Sequence, residues 1–288
     1  MQFDLFLPQM RLTFDQLVER ARAAEAAGFV GIAGMDHLAP PLAEDQAMFE
    51  AMVTNTWLAA HTNDLVVSSL VLCDAFRHPA VLAREAVSID HASGGRFELG
   101  IGWGSVPTEL AVYGIGSTEP RARVARLRET LEITRALWAG ETLDYEGEFF
   151  TLRQARQAPA PTRRIPLTIG GTGPKTLALV AEFADWWNLH VGALDKVEEL
   201  RPKVGDAKVS MQHMVAYIPS ESERETVTTL AMKRFGRSHP AIGTASELID
   251  HFGGLRDKGV DRIYAWFCDF AAPETLAAFG EEVIPHLA

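Results

Sequence analysis

Three glycine-bearing segments of this 288-residue chain hold side chains that could do chemistry. Residues 34–41, GMDHLAPP, set a carboxylate and an imidazole side by side in Asp36 and His37. A histidine titrates near neutral pH and can give or take a proton. Its ordinary alternative is a hydrogen-bonding surface group, and no HExxH or similar spacing accompanies it to indicate a metal. Residues 170–176, GGTGPKT, read as a turn opening a helix: Gly170, Gly171, Thr172 and Gly173 lead into Pro174, Lys175 and Thr176. Free N–H groups at such a helix start attract an anion, and phosphate is the natural guest. A tight turn without a ligand is the competing reading, and the spacing is not that of a Walker loop. In residues 99–110, LGIGWGSVPTEL, the glycines Gly100, Gly102 and Gly104 let a planar ring lie against main chain, with Trp103 as a wall. A Rossmann fingerprint is not matched, because the third glycine comes too early. A fourth segment, residues 68–79, ends in Phe76, Arg77, His78 and Pro79, which read as a structural turn into a helix.

The elements that must position these groups alternate from end to end. Short apolar runs at 2–7, 29–33, 66–72, 96–101, 165–169, 186–190, 208–218 and 262–267 read as strands. Amphipathic segments lie between them. A Thr13/Gln16 capping box opens a helix over 13–27, Pro79 opens one running to about residue 92, and Val124, Leu127, Leu131 and Trp138 mark one face of a long helix. Pro174 starts a helix reaching 183, a Thr244/Glu247 box opens another, and Leu276, Phe279, Val283 and Leu287 give the last one a buried stripe. Residues 143–152 read as a hairpin outside the alternation. Eight strands each followed by a helix predict a (β/α)8 TIM barrel spanning 1–288 as a single domain, with a small insertion around residues 140–160. An open doubly wound sheet is the structural rival. In both, ligands sit at the carboxyl ends of the strands.

Composition narrows the partners. A net charge of −11, with 38 acidic against 27 basic residues, argues against nucleic acid or an anionic membrane surface. The 2 cysteines, Cys73 and Cys268, form no CxxC pair, so neither a disulfide framework nor a thiolate metal site is indicated. With no leader-like start and no long apolar span, the expected location is cytoplasmic.

Taken in order, MDHL, then FRHP with LAREAVSIDHASGGRFELGIGWG, then RLRETLEITRALWAGETLDYEGEFFTL with IPLTIGG, and finally GTASELIDHFGGLRDKGVDRI, resemble the luciferase-like monooxygenase superfamily. The likeness is greatest to its branch of oxidoreductases that use the deazaflavin coenzyme F420. The resemblance implies a barrel with the cofactor ring across the strand ends and its phosphate on the Gly170–Thr176 turn. Asp36 and His37 match the family's ring-side acid and histidine. Leu70, Val71, Leu72 and Cys73 match the third-strand segment behind the ring, where a non-prolyl cis bulge near Leu70–Val71 is expected. Gly102, Trp103, Gly104 and Ser105 match the segment beside the ring. Where sugar-phosphate dehydrogenases of this branch carry a glutamate just after the strand-four glycines, this chain has Ser105, with the next acid at Glu109. That departure leaves a sugar phosphate unsupported as substrate.

The implied reaction is hydride transfer between the ring and a small organic substrate, with His37 managing the proton and Asp36 orienting His37 or meeting a polar ring edge. Met10, Trp103, Tyr113, Trp266 and Phe267, all near predicted strand ends, are the candidate substrate-pocket residues. An FMN-dependent monooxygenase using O2 and a non-catalytic F420- or flavin-binding carrier are the alternatives. Relatives commonly pair, which implies a homodimer.

Overall fold

The computed structural model describes residues 1–41, 43, 45–236 and 238–287. In chain order it runs β1 (Gln2–Phe6), α1 (Phe14–Ala26), β2 (Gly31–Gly34), α2 (Ala51–His61), β3 (Val66–Ser69), β4 (Leu72–Cys73), α3 (Pro79–Ser93), β5 (Leu99–Gly102), α4 (Pro107–Tyr113) and α5 (Pro120–Trp138). A hairpin, β6 (Leu143–Glu146) and β7 (Thr151–Ala155), precedes β8 (Leu167–Gly170), α6 (Pro174–Phe183), β9 (Trp186–His190) and α7 (Val197–Leu200). The chain ends with β10 (Lys208–Tyr217), α8 (Arg224–Phe235), β11 (Ala241–Gly243), α9 (Ala245–Asp257), β12 (Arg262–Phe267) and α10 (Pro273–Glu282).

Strands neighbour one another in the order β3-β2-β1-β12-β10-β9-β8-β5-β4, all parallel, with β11 added beside β10. Because β3 and β4 are two stretches of one stave, and Val67 bridges Phe97 beside β5, the ring of strands nearly closes. This is the (β/α)8 barrel. The interruption is a cis peptide at Leu70–Val71, where the resemblance had placed one. Both predicted capping boxes form, at Thr13/Gln16 and Thr244/Glu247.

Several strand limits differ from the pattern reading for local reasons. Phe29 was expected to begin β2, but its amide donates to Ala24 at the end of α1 and its ring packs on Phe279, so the ladder starts at Gly31. Ile165 was expected to begin β8; Pro166 has no N–H, and pairing begins at Leu167. The helix α8 escaped notice because only Ala231 and Phe235 are buried on it, which leaves no stripe in the sequence. The hairpin is the foreseen insertion. Its turn is pinned by Glu129, whose carboxylate accepts from the amides of Glu148, Phe149 and Phe150.

Alternation along β12 divides the core. Arg262, Tyr264 and Trp266 face into the barrel, while Ile263, Ala265 and Phe267 face the helices. Outside, Phe3, Phe252, Phe267 and Phe279 form an edge-to-face cluster under α9 and α10, with Phe29 stacked on Phe279. Inside, the barrel floor is polar. Arg262 Nη1 donates to both oxygens of Glu98 at 2.9 and 3.0 Å and to the Tyr264 hydroxyl, and Asp4 lies 3.6 Å away. Burial raises the Asp4 carboxyl to about 6, against the opposing pull of Arg262. This plug closes one end, so ligand access belongs to the other. No helix among the described residues is long and apolar enough to cross a membrane.

Beneath α9, the fully buried His213 of β10 meets His251 with Nε2 atoms 2.9 Å apart. Burial, aided by His251, lowers His213 from 6.5 to about 4. Between these values the unfolded chain binds a proton that the folded chain refuses, so stability falls as pH drops through that window and levels off below it. The loss amounts to about 3 kcal/mol at most. Chemical denaturation from pH 7 to 4 should show this slope, and His213→Asn should flatten it by about 1.4 kcal/mol per pH unit. Equal slopes in the two proteins would remove His213 from the account.

Candidate active site

A cavity of about 470 Å³ opens at the carboxyl ends of the strands. Asp36 and His37 enter it from the loop after β2, Leu70 to Cys73 from the interrupted third stave, and Gly102 to Ser105 from the turn after β5. Gly170 and Gly171 close it after β8, with Asn188 and Gln212 beneath, and α4 adds Val106, Glu109 and Leu110. Two glycines are required by the approach of these walls. A Cβ on Gly102 would lie 2.9 Å from the Val71 side chain, and Gly104, at φ +84°, would place one 3.0 Å from Cys73 Sγ.

The histidine of this cavity is held by a carboxylate far away in sequence. His37 Nδ1 lies 2.9 Å from Glu109 Oε2, and Glu109 Oε1 accepts from the amides of Leu38 and Ala39. An acceptor-only carboxylate at Nδ1 favours the proton there and leaves Nε2 with no protein partner among the described residues. Pro107 at the first helical position and Glu109 in the first turn are ordinary helix-opening choices. They are also the sequence signal that places this acid.

Asp36 does something else. Its Oδ2 accepts from the Cys73 amide at 2.8 Å and from Arg77 Nη1 at 2.7 Å, and its Oδ1 accepts from Arg77 Nη2 at 3.2 Å. Of the two roles expected of Asp36, orienting His37 is corrected: its oxygens tie the loop after β2 to the start of α3, and Glu109 is the group on His37; the other, meeting a polar ring edge, is untouched by this, since Asp36 lines the cavity. Arg77 also pairs with Glu50, the residue capping α2, while His78 caps α3. The turn at 76–79 is thus structural, as read. Cys73 forms a wall rather than a nucleophile, because burial, reinforced by Asp36, Asp74 and Glu109, pushes its thiol up to about 11.

In the adjoining wall, just past Gly170 and Gly171, α6 starts with no side-chain cap. Among the described residues the amides of Thr172, Gly173, Lys175 and Thr176 donate to no protein acceptor. Four unpartnered N–H groups at the positive end of a helix, beside Gly170 and Gly171, form a cradle that fits a phosphate. Trp103 joins this wall to the cavity, its Nε1 donating to Thr176 Oγ1 at 3.2 Å. No cluster of three or more His, Cys, Asp or Glu among the described residues is placed to hold a metal ion.

Residues 1–213 match the sequence profile of the family described as luciferase-like monooxygenase. The chain belongs to that family. Among similar luciferase-like proteins is an F420-dependent glucose-6-phosphate dehydrogenase of Mycolicibacterium fortuitum, 36% identical over 171 residues, which cover 59% of this chain and 50% of that protein. The aligned stretch thus spans about half of that relative's length. A protein of the same name from Nakamurella multipartita is 31% identical over 94% of this chain and 92% of its own length. The same fold occurs in an F420-dependent secondary alcohol dehydrogenase solved in complex with an F420-acetone adduct, with TM-score 0.83, 20% identity, and coverage of 100% of this chain and 99% of that one.

Within this luciferase-like barrel, the structure gathers twelve of the residues singled out from sequence around one cavity, from Asp36 and His37 to Gly170 and Gly171. Thr172, Gly173, Pro174, Lys175 and Thr176 form the adjoining turn without lining the cavity itself. Four of the five substrate-pocket candidates lie elsewhere. Phe267 points outward into the aromatic cluster, and Tyr113 ends α4 half-exposed. Met10 bridges Met48, and Trp266 faces inward but is covered by Phe6 and Phe235. Only Trp103 lines the cavity. Sequence reasoning named Glu109 but gave it no place in the site, and it missed Asn188 and Gln212, which sit on strands rather than in glycine turns.

Replacing Arg77 by Leu would leave the Asp36 carboxylate buried and unpaired, with an expected loss of about 3–5 kcal/mol in chemical denaturation. The double variant Asp36→Asn/Arg77→Leu should recover part of that. A loss below about 1 kcal/mol for Arg77→Leu would show that the pair does not hold the loop.

Proposed function

We propose that this chain is an F420-dependent oxidoreductase that moves a hydride between the deazaflavin ring and a small organic substrate in the cavity. One observation carries the reading: an imidazole held by a carboxylate lines a cavity whose Gly170 and Gly171 lead directly into a turn of unpartnered amides. The names of the aligned relatives supply the cofactor class. The Gly170 and Gly171 turn and the α6 amides would hold the phosphorylated side chain. The third-stave bulge and the Gly102–Ser105 turn would flank the ring. Bound there, F420 supplies or accepts hydride at its ring carbon.

The chain's own groups handle what accompanies that transfer. Glu109 keeps the Nδ1 proton of His37 in place, so Nε2 takes the proton from a substrate hydroxyl as hydride leaves the adjacent carbon, or returns it in the reverse direction. The buried Asp36–Arg77 pair keeps the loop carrying His37 in register with the third stave. Trp103 and Leu70 wall the reacting space, confining the partners at contact distance. A carrier protein would need the cradle but not a carboxylate-oriented imidazole, and this favours catalysis. The argument against a sugar phosphate also loses its premise, since the displaced acid, Glu109, does enter the cavity. A homodimer forms part of the proposal on the resemblance alone.

Titration of the purified chain with F420 and with FMN, followed by fluorescence, tests the cofactor. Saturable F420 binding with weaker FMN binding is expected; a flavin spectrum in the protein as purified, with no F420 binding, would reject the reading in favour of an FMN enzyme. Among alcohols and sugar phosphates assayed for F420 reduction, His37→Ala should lower turnover by about 10²-fold or more on any active substrate. Glu109→Gln should lower it less, and both should keep F420 affinity within about threefold, the mark of a group acting in the reaction rather than in binding. Unchanged turnover in His37→Ala would dismiss its role.

A further inference from the structure

The wall between α5 and α6 contains a charge that the protein leaves unanswered. Arg123, in the first turns of α5, is 4% exposed. Its Nη1 donates to the Gly104 carbonyl at 3.1 Å, and its guanidinium carbon stands 4.5 Å from the Trp103 ring centroid. Its Nε is buried with no hydrogen-bond partner. Two other arginines of the same helix are matched, Arg126 with Asp74 and Arg128 with Glu182, and Arg121 and Arg135, which meet no carboxylate among the described residues, are not buried as Arg123 is. Arg123 meets no carboxylate among the described residues.

Its location compounds the imbalance. Trp103, the ring beneath the guanidinium, donates from Nε1 to Thr176 in the first turn of α6. A buried cation therefore sits near the positive end of a helix whose first amides are also unpartnered. A buried unpaired charge is costly, and the helix terminus raises that cost, unless an anion completes the set. Arginine's planar fork suits a phosphoryl group, and Gly104, which it touches, lines the cavity.

We propose that Arg123 and the amides opening α6 form one anion subsite, with Arg123 as its buried counter-charge, whose occupant is the phosphoryl group of the cofactor's side chain. The identity of that occupant rests on the F420 reading above; the subsite rests on the unpaired guanidinium and the amides. Arg123 then explains why a chain of net charge −11 accepts a polyanionic cofactor at this wall.

The test compares wild type, Arg123→Gln and Arg123→Lys by quenching of deazaflavin fluorescence with two probes. One is F420, and the other is its truncated form, ring and ribityl alcohol without the phosphate or anything beyond it. Arg123→Gln should weaken F420 by about tenfold or more and leave the truncated probe within about twofold, with Arg123→Lys in between. Equal weakening of both probes would make Arg123 a brace for Trp103 and overturn the proposal, as would no change in either. Should Arg123→Gln not fold, Arg123→Lys decides: full retention of the wild-type preference for F420 over the truncated probe overturns it. Inorganic phosphate separates the two layers of the claim. It should raise the melting temperature of wild type above chloride at matched ionic strength, and do so less in the Arg123 variants. If F420 fails to bind but this protection holds, the subsite stands and the cofactor reading falls. If phosphate gives no protection and the two probes bind wild type alike, the subsite falls while ring binding stands.

Discussion

The Glu109 carboxylate is the interaction on which the site's geometry depends. It reaches from α4 to the loop after β2 and accepts from His37 Nδ1 and from two successive amides, Leu38 and Ala39. Three donors converging on one acceptor group fix a loop that no strand ladder supports, and they choose which imidazole nitrogen faces the cavity. The barrel contributes by making the meeting possible. Parallel staves bring the turn after β2 and the turn after β5 to the same rim, although His37 and Glu109 are separated by 72 positions.

A buried ion pair also stiffens the rim. Asp36 and Arg77 join the same loop to the start of α3, and the Cys73 amide draws the interrupted third stave into the knot. The floor of the barrel is closed by Arg262, Glu98 and Tyr264, and part of the mouth by Trp266, Phe6 and Phe235. What stays open is a cavity bounded by glycine turns, lined by an oriented imidazole and by Gly170 and Gly171, beyond which the turn into α6 leaves its amides unpaired. That arrangement is the ground on which a ligand with a planar ring and an anionic tail is proposed.

Much of this was legible in the sequence because it rests on local rules. The period of apolar residues, two capping boxes and the proline-led helix starts specified the alternation and hence the barrel. The glycine turns at 102–104 and 170–173 marked the rim because close approach of backbones demands glycine. Groups whose role depends on a distant partner were less visible. Asp36 looked like the companion of His37 because it is adjacent, yet adjacent positions after a strand point to different sides, and the companion came from α4. Phe267 and Trp266 are neighbours with opposite fates for the same reason: the strand period of two sends one to the helices and the other into the barrel. Arg123 carried no signal at all, since an arginine in an amphipathic helix reads as a solvated face until its burial is seen.

The central claim is that Glu109 sets the working nitrogen of His37, and the tautomeric state of that ring tests it most directly. Long-range proton–nitrogen correlation on protein labelled with 15N-histidine resolves which nitrogen carries the proton in the neutral ring. The account predicts an Nδ1-protonated His37 in wild type, with that preference weakened or lost in Glu109→Gln. An Nε2-protonated ring in wild type, or a pattern indifferent to residue 109, would contradict it.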